Sequence, residues 1–74
     1  MNIGSVLRQK RKDLRLTLRS VAEKAGVSEG FLSQVENDVN SPSVDTLVKI
    51  CNAMGIGAGD VLNEAKHLER IIVI

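Results

Sequence analysis

Four carboxylates of this 74-residue chain are candidates for acid–base chemistry: those of Asp13, Glu23, Asp38 and Asp45. Such chemistry needs titratable groups that are brought together in a pocket. The helical periodicity described below places these four in turns or on different exposed faces, and no pocket-forming sequence accompanies them. We therefore predict that the chain is not an enzyme.

Cys51 and His67 are each the only residue of their type. A single cysteine cannot form an internal disulfide or, by itself, a zinc site. Cys51 falls on an apolar helix face and is expected in the core, and His67 is expected to be exposed. No metal or cofactor is predicted. No apolar run approaches the roughly 20 residues of a membrane span, and no secretory leader is evident, so we expect a soluble, cytoplasmic protein.

The charges are distributed unevenly although the net charge is only +1. Residues 1–24 carry seven basic and two acidic side chains, a net charge of +5, whereas residues 25–65 carry one lysine and six acidic side chains, a net charge of −5. A basic surface near the amino terminus is a possible electrostatic footprint for a polyanion. A basic helix that is merely solvated has the same composition, so charge alone leaves both interpretations open.

The composition favours one all-α domain. Apolar residues make up 43% of the chain, yet Phe31 is the single aromatic residue, so the core must be aliphatic and packed at helical spacing. A core of this size gives marginal stability, which favours assembly with a second copy. We place the domain at residues 1–66 and a carboxy-terminal tail at 67–74.

Five helices are predicted from apolar periodicity and capping residues. The first runs from about Ile3 to Leu14. The second follows Thr17 and stops at Gly26, and the third runs from Glu29 to Glu36 or Asn37. The fourth follows a cap at Ser41 or Ser43 and is expected to bury a broad face made of Val44, Leu47, Val48, Ile50, Cys51 and Met54. The fifth begins near Asp60 and continues helically past Ala65.

The second and third helices are separated by a turn of about three residues. Gly26 permits a positive φ, Val27 can fill the turn, and Ser28 can cap the third helix. Ala22 is small enough for the two helices to cross closely. Two short helices joined in this way form a helix-turn-helix, which places its second helix in the major groove of DNA.

The segments "LTLRSVAEKAGVSEGFLSQVEN" and "SPSVDTLVKICNAMGI" resemble the phage repressor and Cro type of helix-turn-helix, the xenobiotic-response-element family of transcriptional regulators. The resemblance covers residues 3 to about 63. It implies a compact five-helix, lambda-repressor-like domain that binds operator DNA, usually as a symmetric dimer. We expect repression as the outcome, with activation as the alternative that the same geometry allows.

Position by position, the resemblance assigns base contacts to the front of the third helix, at Ser28, Glu29, Gly30, Ser33 and Gln34. The carboxamide of Gln34 can bind adenine in a bidentate pair, although an ordinary solvated glutamine is the alternative. Phosphate contacts are assigned to Arg11, Thr17, Arg19, Asn37, Asn40 and Ser41. Arg8, Lys12, Arg15 and Lys24 are expected to contribute only a general field or to be solvated.

Arg11 and Glu36 match a pair that in this family joins the first helix to the end of the third; two unrelated surface charges are the alternative. Dimer contacts are predicted for Val61, Leu68, Ile71, Ile72 and Val73. The apolar ending "RIIVI" can instead pack into the chain's own core or begin a further effector domain. An antitoxin or adaptor that binds another protein through the same fold is the alternative function.

Overall fold

Five helices follow one another along the part of the chain that the computed structural model describes, the backbone of residues 3–73 and the side chains of residues 3–65. The helices are α1 (Ile3–Asp13), α2 (Leu18–Ala25), α3 (Glu29–Glu36), α4 (Val44–Met54) and α5 (Ala58–Val73). No strand occurs in this part of the chain, and the predicted all-α class is confirmed. None of these helices combines the length and the hydropathy that a membrane crossing requires.

Hydroxyl side chains begin three of the helices. The side-chain oxygens of Thr17, Ser28 and Ser43 accept a hydrogen bond from the backbone N–H three residues on, at 3.0, 3.0 and 3.2 Å. Each cap satisfies a donor that the first helical turn leaves unpaired and stabilises its helix by about 1 kcal/mol. Of the two caps predicted for α4, the structure uses Ser43.

The ends of α1, α2 and α4 share one geometry. In each, a residue with positive φ follows the helix: Arg15 (57°), Gly26 (74°) and Gly55 (71°). Its N–H bonds to the carbonyl three residues back, at 3.0, 3.2 and 3.0 Å, and the next N–H bonds to the carbonyl five residues back, at 3.0 Å in all three. These are Schellman motifs, which satisfy the last carbonyls of a helix and reverse the chain in few residues.

The core lies where α2 packs against α3 and α4, and where α1 packs against α3 and α5. Its fully buried side chains are those of Leu7, Val21, Leu32, Val35, Ile50, Cys51 and Val61. Burial raises the pKa of the Cys51 thiol, which therefore stays neutral and packs as a small apolar side chain, as predicted.

Leu14, predicted to end the first helix, and Val44 and Val48, predicted on the buried face of the fourth, are all exposed. Leu14 (46% exposed) lies outside α1, which ends at Asp13 because the chain turns at Arg15. Val44 (76%) is the first residue of α4, and Val48 (38%) lies at the edge of its buried stripe, so no other helix covers them. The backbone of α5 also continues as a helix across the boundary predicted at residue 66.

The beginning of α1 is fitted tightly against the end of α3. Gly4 is buried, and a Cβ at this position would overlap the carbonyl oxygen of Val35 and lie 3.0 Å from that of Glu36. The Gly4 N–H donates to Asp38 Oδ1 at 3.2 Å. A glycine is therefore required here for close approach, and the contact ties the start of the chain to the loop that follows α3.

We predict that Gly4→Ala lowers the free energy of unfolding by about 1–3 kcal/mol, because the added methyl group forces two helices apart. Gly30→Ala is the control: nothing lies within 4 Å of its Cβ position, and alanine favours the helix by up to about 1 kcal/mol. Urea unfolding followed by circular dichroism measures both. A Gly4→Ala variant as stable as the unmodified protein would contradict the close packing of α1 on α3.

Candidate nucleic-acid interface

Two eight-residue helices, α2 and α3, are joined by Gly26, Val27 and Ser28. Gly26 supplies the left-handed conformation, and the N–H of Val27 donates to the carbonyl of Ala22. Ala22 is 1% exposed and Val27 packs against the core, which are the predicted arrangements. The local chemistry of one glycine, one cap and one small residue thus builds a helix-turn-helix.

One face of α3 is buried and the other is open to solvent. Leu32, Val35 and Glu36 are buried, whereas the predicted base-contact residues lie on the outer face: Ser28, Glu29, Gly30 and Gln34 are exposed and Ser33 is half-buried. The structure therefore gathers the five predicted residues on one accessible strip. The strip presents hydroxyl, carboxylate and carboxamide groups, which are hydrogen-bonding groups suited to base edges.

Gln34 is held by its neighbours. Its side-chain oxygen accepts a hydrogen bond from Asn40 Nδ2 at 2.5 Å, and its backbone carbonyl accepts from the N–H groups of Val39 and Asn40. A carboxamide oxygen has a second lone pair, so Gln34 can still accept one hydrogen bond and donate two. Asn40 thus orients the side chain that is best suited to read adenine.

Arg11 joins three elements at one point. Its Nε donates to Glu36 Oε2 at 2.9 Å, its Nη2 to Glu36 Oε1 at 3.1 Å, and its Nη1 to the carbonyl of Leu16 at 3.0 Å. The predicted Arg11–Glu36 pair is therefore present, and it is bidentate. The side chain of Glu36 is only 5% exposed and that of Arg11 15%, so solvent screens this pair far less than a surface pair.

The loop after α3 is also fastened. Asp38 adopts a left-handed conformation, with φ of 61°, and accepts the hydrogen bond from Gly4. Asn37 Nδ2 donates to the carbonyl of Ser33 at 2.9 Å and lies 3.4 Å from Ser33 Oγ, so the short bond uses one of its two N–H groups. Asn40 and Ser41, the other two predicted phosphate contacts in the loop, are exposed.

The first turn of α2 carries two further predicted phosphate contacts. Thr17 and Arg19 are both exposed. Arg19 pairs with Glu23 at 3.2 Å, but the two side chains are 78% and 69% exposed, and such a pair contributes little. Arg19 is therefore free to exchange its carboxylate for a phosphate at small cost.

Sequence reasoning did not anticipate an open groove of about 410 Å³ between α1 and the end of α3. Arg8, Lys12 and Asn37 are among the residues that line it. Arg8 and Lys12 lie one helical turn apart, and this i, i+4 spacing is a signal that the sequence did contain. No comparable signal links Gly4 to Asp38, because 34 positions separate them in the chain.

The predicted dimer residues require a correction. Val61 is fully buried within the protomer, because it packs into the core at the start of α5, and it cannot contact a partner. The side chains of Leu68, Ile71, Ile72, Val73 and of His67 lie outside the described residues.

The four carboxylates considered for acid–base chemistry have separate surroundings. Asp13 accepts a hydrogen bond from Gln9, Glu23 pairs with Arg19, and Asp38 caps α1. Asp45 is exposed in the first turn of α4. They lie on different elements of the fold and do not form one site.

The sequence model of the helix-turn-helix family matches residues 7–61, a stretch that contains all of α2, α3 and α4. The chain therefore belongs to the helix-turn-helix family of phage repressor and Cro type, whose members are DNA-binding transcriptional regulators and not enzymes.

Individual relatives agree with this assignment. The immunity repressor protein of Bacillus phage phi105 is 34% identical over 64 residues, 86% of this chain and 44% of that protein. The crystal structure of the clp gene regulator ClgR from Corynebacterium glutamicum is 37% identical, with a TM-score of 0.88 over 96% of this chain and 76% of that one. The biofilm master regulator SinR in complex with DNA is 32% identical, with a TM-score of 0.76 over 82% and 98%. The chain spans about half the length of the curated relatives it matches.

We predict that Arg11→Met lowers the free energy of unfolding by about 3–5 kcal/mol, because it leaves the Glu36 carboxylate buried without its partner. The double variant Arg11→Met/Glu36→Met recovers most of this loss, since it removes both charges at similar volume. Arg19→Met, at the exposed pair, changes stability by no more than about 0.5 kcal/mol. Thermal unfolding followed by circular dichroism separates the three variants, and equal effects of Arg11→Met and Arg19→Met would contradict a structural role for the buried pair.

Proposed function

We propose that this protein is a sequence-specific regulator of transcription that binds double-stranded DNA, acts as a repressor in the cytoplasm of a bacterium, and lays α3 in the major groove. The observation that carries the proposal is the outer strip of α3. It is polar and accessible along Ser28, Glu29, Ser33 and Gln34, while the opposite face is clamped to α1 through Glu36. A recognition helix needs this combination, because its side chains can distinguish one base pair from another only when the backbone that carries them is held in place.

Phosphate contacts would come from both ends of the helix-turn-helix formed by α2 and α3. Thr17 and Arg19 stand at the start of α2, and Asn37, Asn40 and Ser41 follow α3, all of them exposed. Arg11 uses three of its five N–H groups within the fold. It would act chiefly as a positioning residue, with two N–H groups left for a phosphate.

A near-palindromic operator is read by a two-fold symmetric dimer. We propose that α5 forms the dimer contact. Val61 is excluded by its burial, but its neighbour Leu62 is 44% exposed and offers an apolar contact in its place. The predicted contacts at Leu68, Ile71, Ile72 and Val73 lie further along the same helix.

An adaptor or antitoxin that binds another protein is the second candidate. The acidic balance of residues 25–65 favours it, since Asp45, Asp60 and Glu64 are exposed on α4 and α5. A basic partner would find a complementary surface there. This candidate predicts no binding to duplex DNA at low salt.

We expect the protein to bind a mixed-sequence DNA duplex, with an affinity that falls about tenfold or more between about 50 and 200 mM salt as counterions are released. Fluorescence anisotropy measures the affinity, and light scattering at tens of micromolar protein measures the mass of the free protein and of the complex. Two protomers on a selected palindromic duplex are the expected stoichiometry. Absence of DNA binding at low salt would favour the adaptor. Binding of one chain per palindromic duplex would contradict the proposed dimer.

Glu29 tests whether the strip reads sequence. We predict that Glu29→Ala strengthens binding to mixed-sequence DNA, because a negative charge near phosphates is removed, and relaxes the preference at one operator position, because a carboxylate can accept from cytosine N4. Asp45→Ala is the matched control, since it removes an exposed acid from the first turn of α4. In vitro selection of bound duplexes by the three proteins reports the preference. If Glu29→Ala selects the same sequences as the unmodified protein, Glu29 only complements the dipole of α3.

A further inference from the structure

Two described residues other than glycine have a positive φ, Asp38 (61°) and Arg15 (57°). Aspartate is among the residue types that adopt this conformation most readily, and Asp38 also gains the hydrogen bond from Gly4. Arginine has no such preference. The conformation of Asp38 is thus explained within the fold, and that of Arg15 needs a separate reason.

The turns that end α2 and α4 have the same geometry as the turn at Arg15, and they show which residue type this geometry favours. The Schellman motifs that end α2 and α4 have glycine at the left-handed position, Gly26 and Gly55, with the same pair of backbone hydrogen bonds that Arg15 makes after α1. Glycine adopts this conformation without steric cost. Arg15 therefore occupies a position where a residue without a side chain would stabilise the fold better.

The side chain of Arg15 does not offset this cost through contacts with the fold. It is exposed, and no hydrogen bond or ion pair joins it to another described residue. Lys10, Arg11 and Arg19 pair with Glu64, Glu36 and Glu23, whereas Arg8, Lys12 and Lys24, like Arg15, form no ion pair with a described residue. Arg15 differs from these three because it alone has a positive φ. Within the part of the chain whose side chains are described, the guanidinium of Arg15 thus has no partner, and its backbone conformation is unfavourable for arginine.

Its place in the fold indicates what it binds. Arg15 immediately precedes Leu16, whose carbonyl is fixed by Arg11, and stands two residues before Thr17, the cap of α2. It thus projects from a rigid turn between the buried pair and the first turn of the helix-turn-helix.

We propose that Arg15 binds a phosphate of the DNA backbone, and that the strained turn is retained because it holds the guanidinium there. A guanidinium matches phosphate with two parallel hydrogen bonds, and a turn fixed by two backbone bonds limits the entropy lost on binding. The proposal rests on the proposed DNA-binding function and adds a contact outside the helix-turn-helix.

Two variants of Arg15 separate the charge from the backbone. Arg15→Gly removes the guanidinium and relieves the strain, so we expect its melting temperature to rise by a few degrees while its affinity for DNA falls severalfold. Arg15→Gln removes the charge and keeps a side chain on the strained backbone, so we expect the same loss of affinity without the rise in melting temperature. Lys49→Gln removes a cation from α4, outside the proposed surface, as the control.

The measurement is the affinity of each protein for one mixed-sequence duplex, about two helical turns long, across a range of salt concentrations. Removing one bound phosphate makes the slope of log K against log salt less steep by about 0.9, so both Arg15 variants should show a slope reduced by about that much per bound protomer. Lys49→Gln should keep the slope of the unmodified protein. If both Arg15 variants keep the slope of the unmodified protein, and that protein binds DNA, the proposed phosphate contact of Arg15 is wrong and the proposed function is unaffected. Failure of the unmodified protein to bind would instead overturn the proposed function.

Discussion

The rest of the fold depends on one buried ion pair. A carboxylate that is 5% exposed is strongly disfavoured unless its charge is matched, and Arg11 matches both oxygens of Glu36 with separate hydrogen bonds. A third bond from the same guanidinium holds the carbonyl of Leu16. The end of α3, the last turn of α1 and the turn before α2 are thereby fixed relative to one another. Hydrophobic packing of Leu7, Val21 and Val35 holds these helices together but is not directional. The hydrogen bonds of the ion pair are directional, so they fix the orientation of α3 and therefore of its polar face.

Short helices of this kind are not stable alone. Helices of eight residues, such as α2 and α3, are below the length at which isolated helices form in water, so caps and tertiary packing must supply their stability. Thr17, Ser28 and Ser43 begin helices, and the Schellman motifs end them, so that few residues are needed between elements. The contact of Gly4 with the end of α3 adds a second link between α1 and α3. Apart from the cap at Ser28 and the bonds that Ser33 and Gln34 make with the following loop, the outer face of α3 is open to solvent, which leaves it available for recognition.

Most of the fold was predictable because its signals are local. Capping serines, the glycine of the turn and helical periodicity gave the bounds of α2, α3 and α4 within a residue or two. The Arg11–Glu36 pair was accessible only through family resemblance, since 25 positions separate the two residues. Burial was predicted less well, because periodicity does not reveal where a neighbouring helix ends. Val44 and Val48 are exposed, and Val61 packs into the core of its own chain. The positive φ of Arg15 left no trace in the sequence, because arginine is not a residue that marks such turns.

The backbone amide NMR spectrum of the protein, recorded while a duplex obtained by in vitro selection is added, tests most directly whether α3, in the position where the buried pair holds it, is the face that binds DNA. We expect the largest shift changes on residues 28–34 and 37–41 and on the turn at 15–19, with α4 residues 47–54 little affected. Changes confined to the acidic surface of α4 and α5, with the resonances of α3 unchanged, would contradict DNA binding by α3.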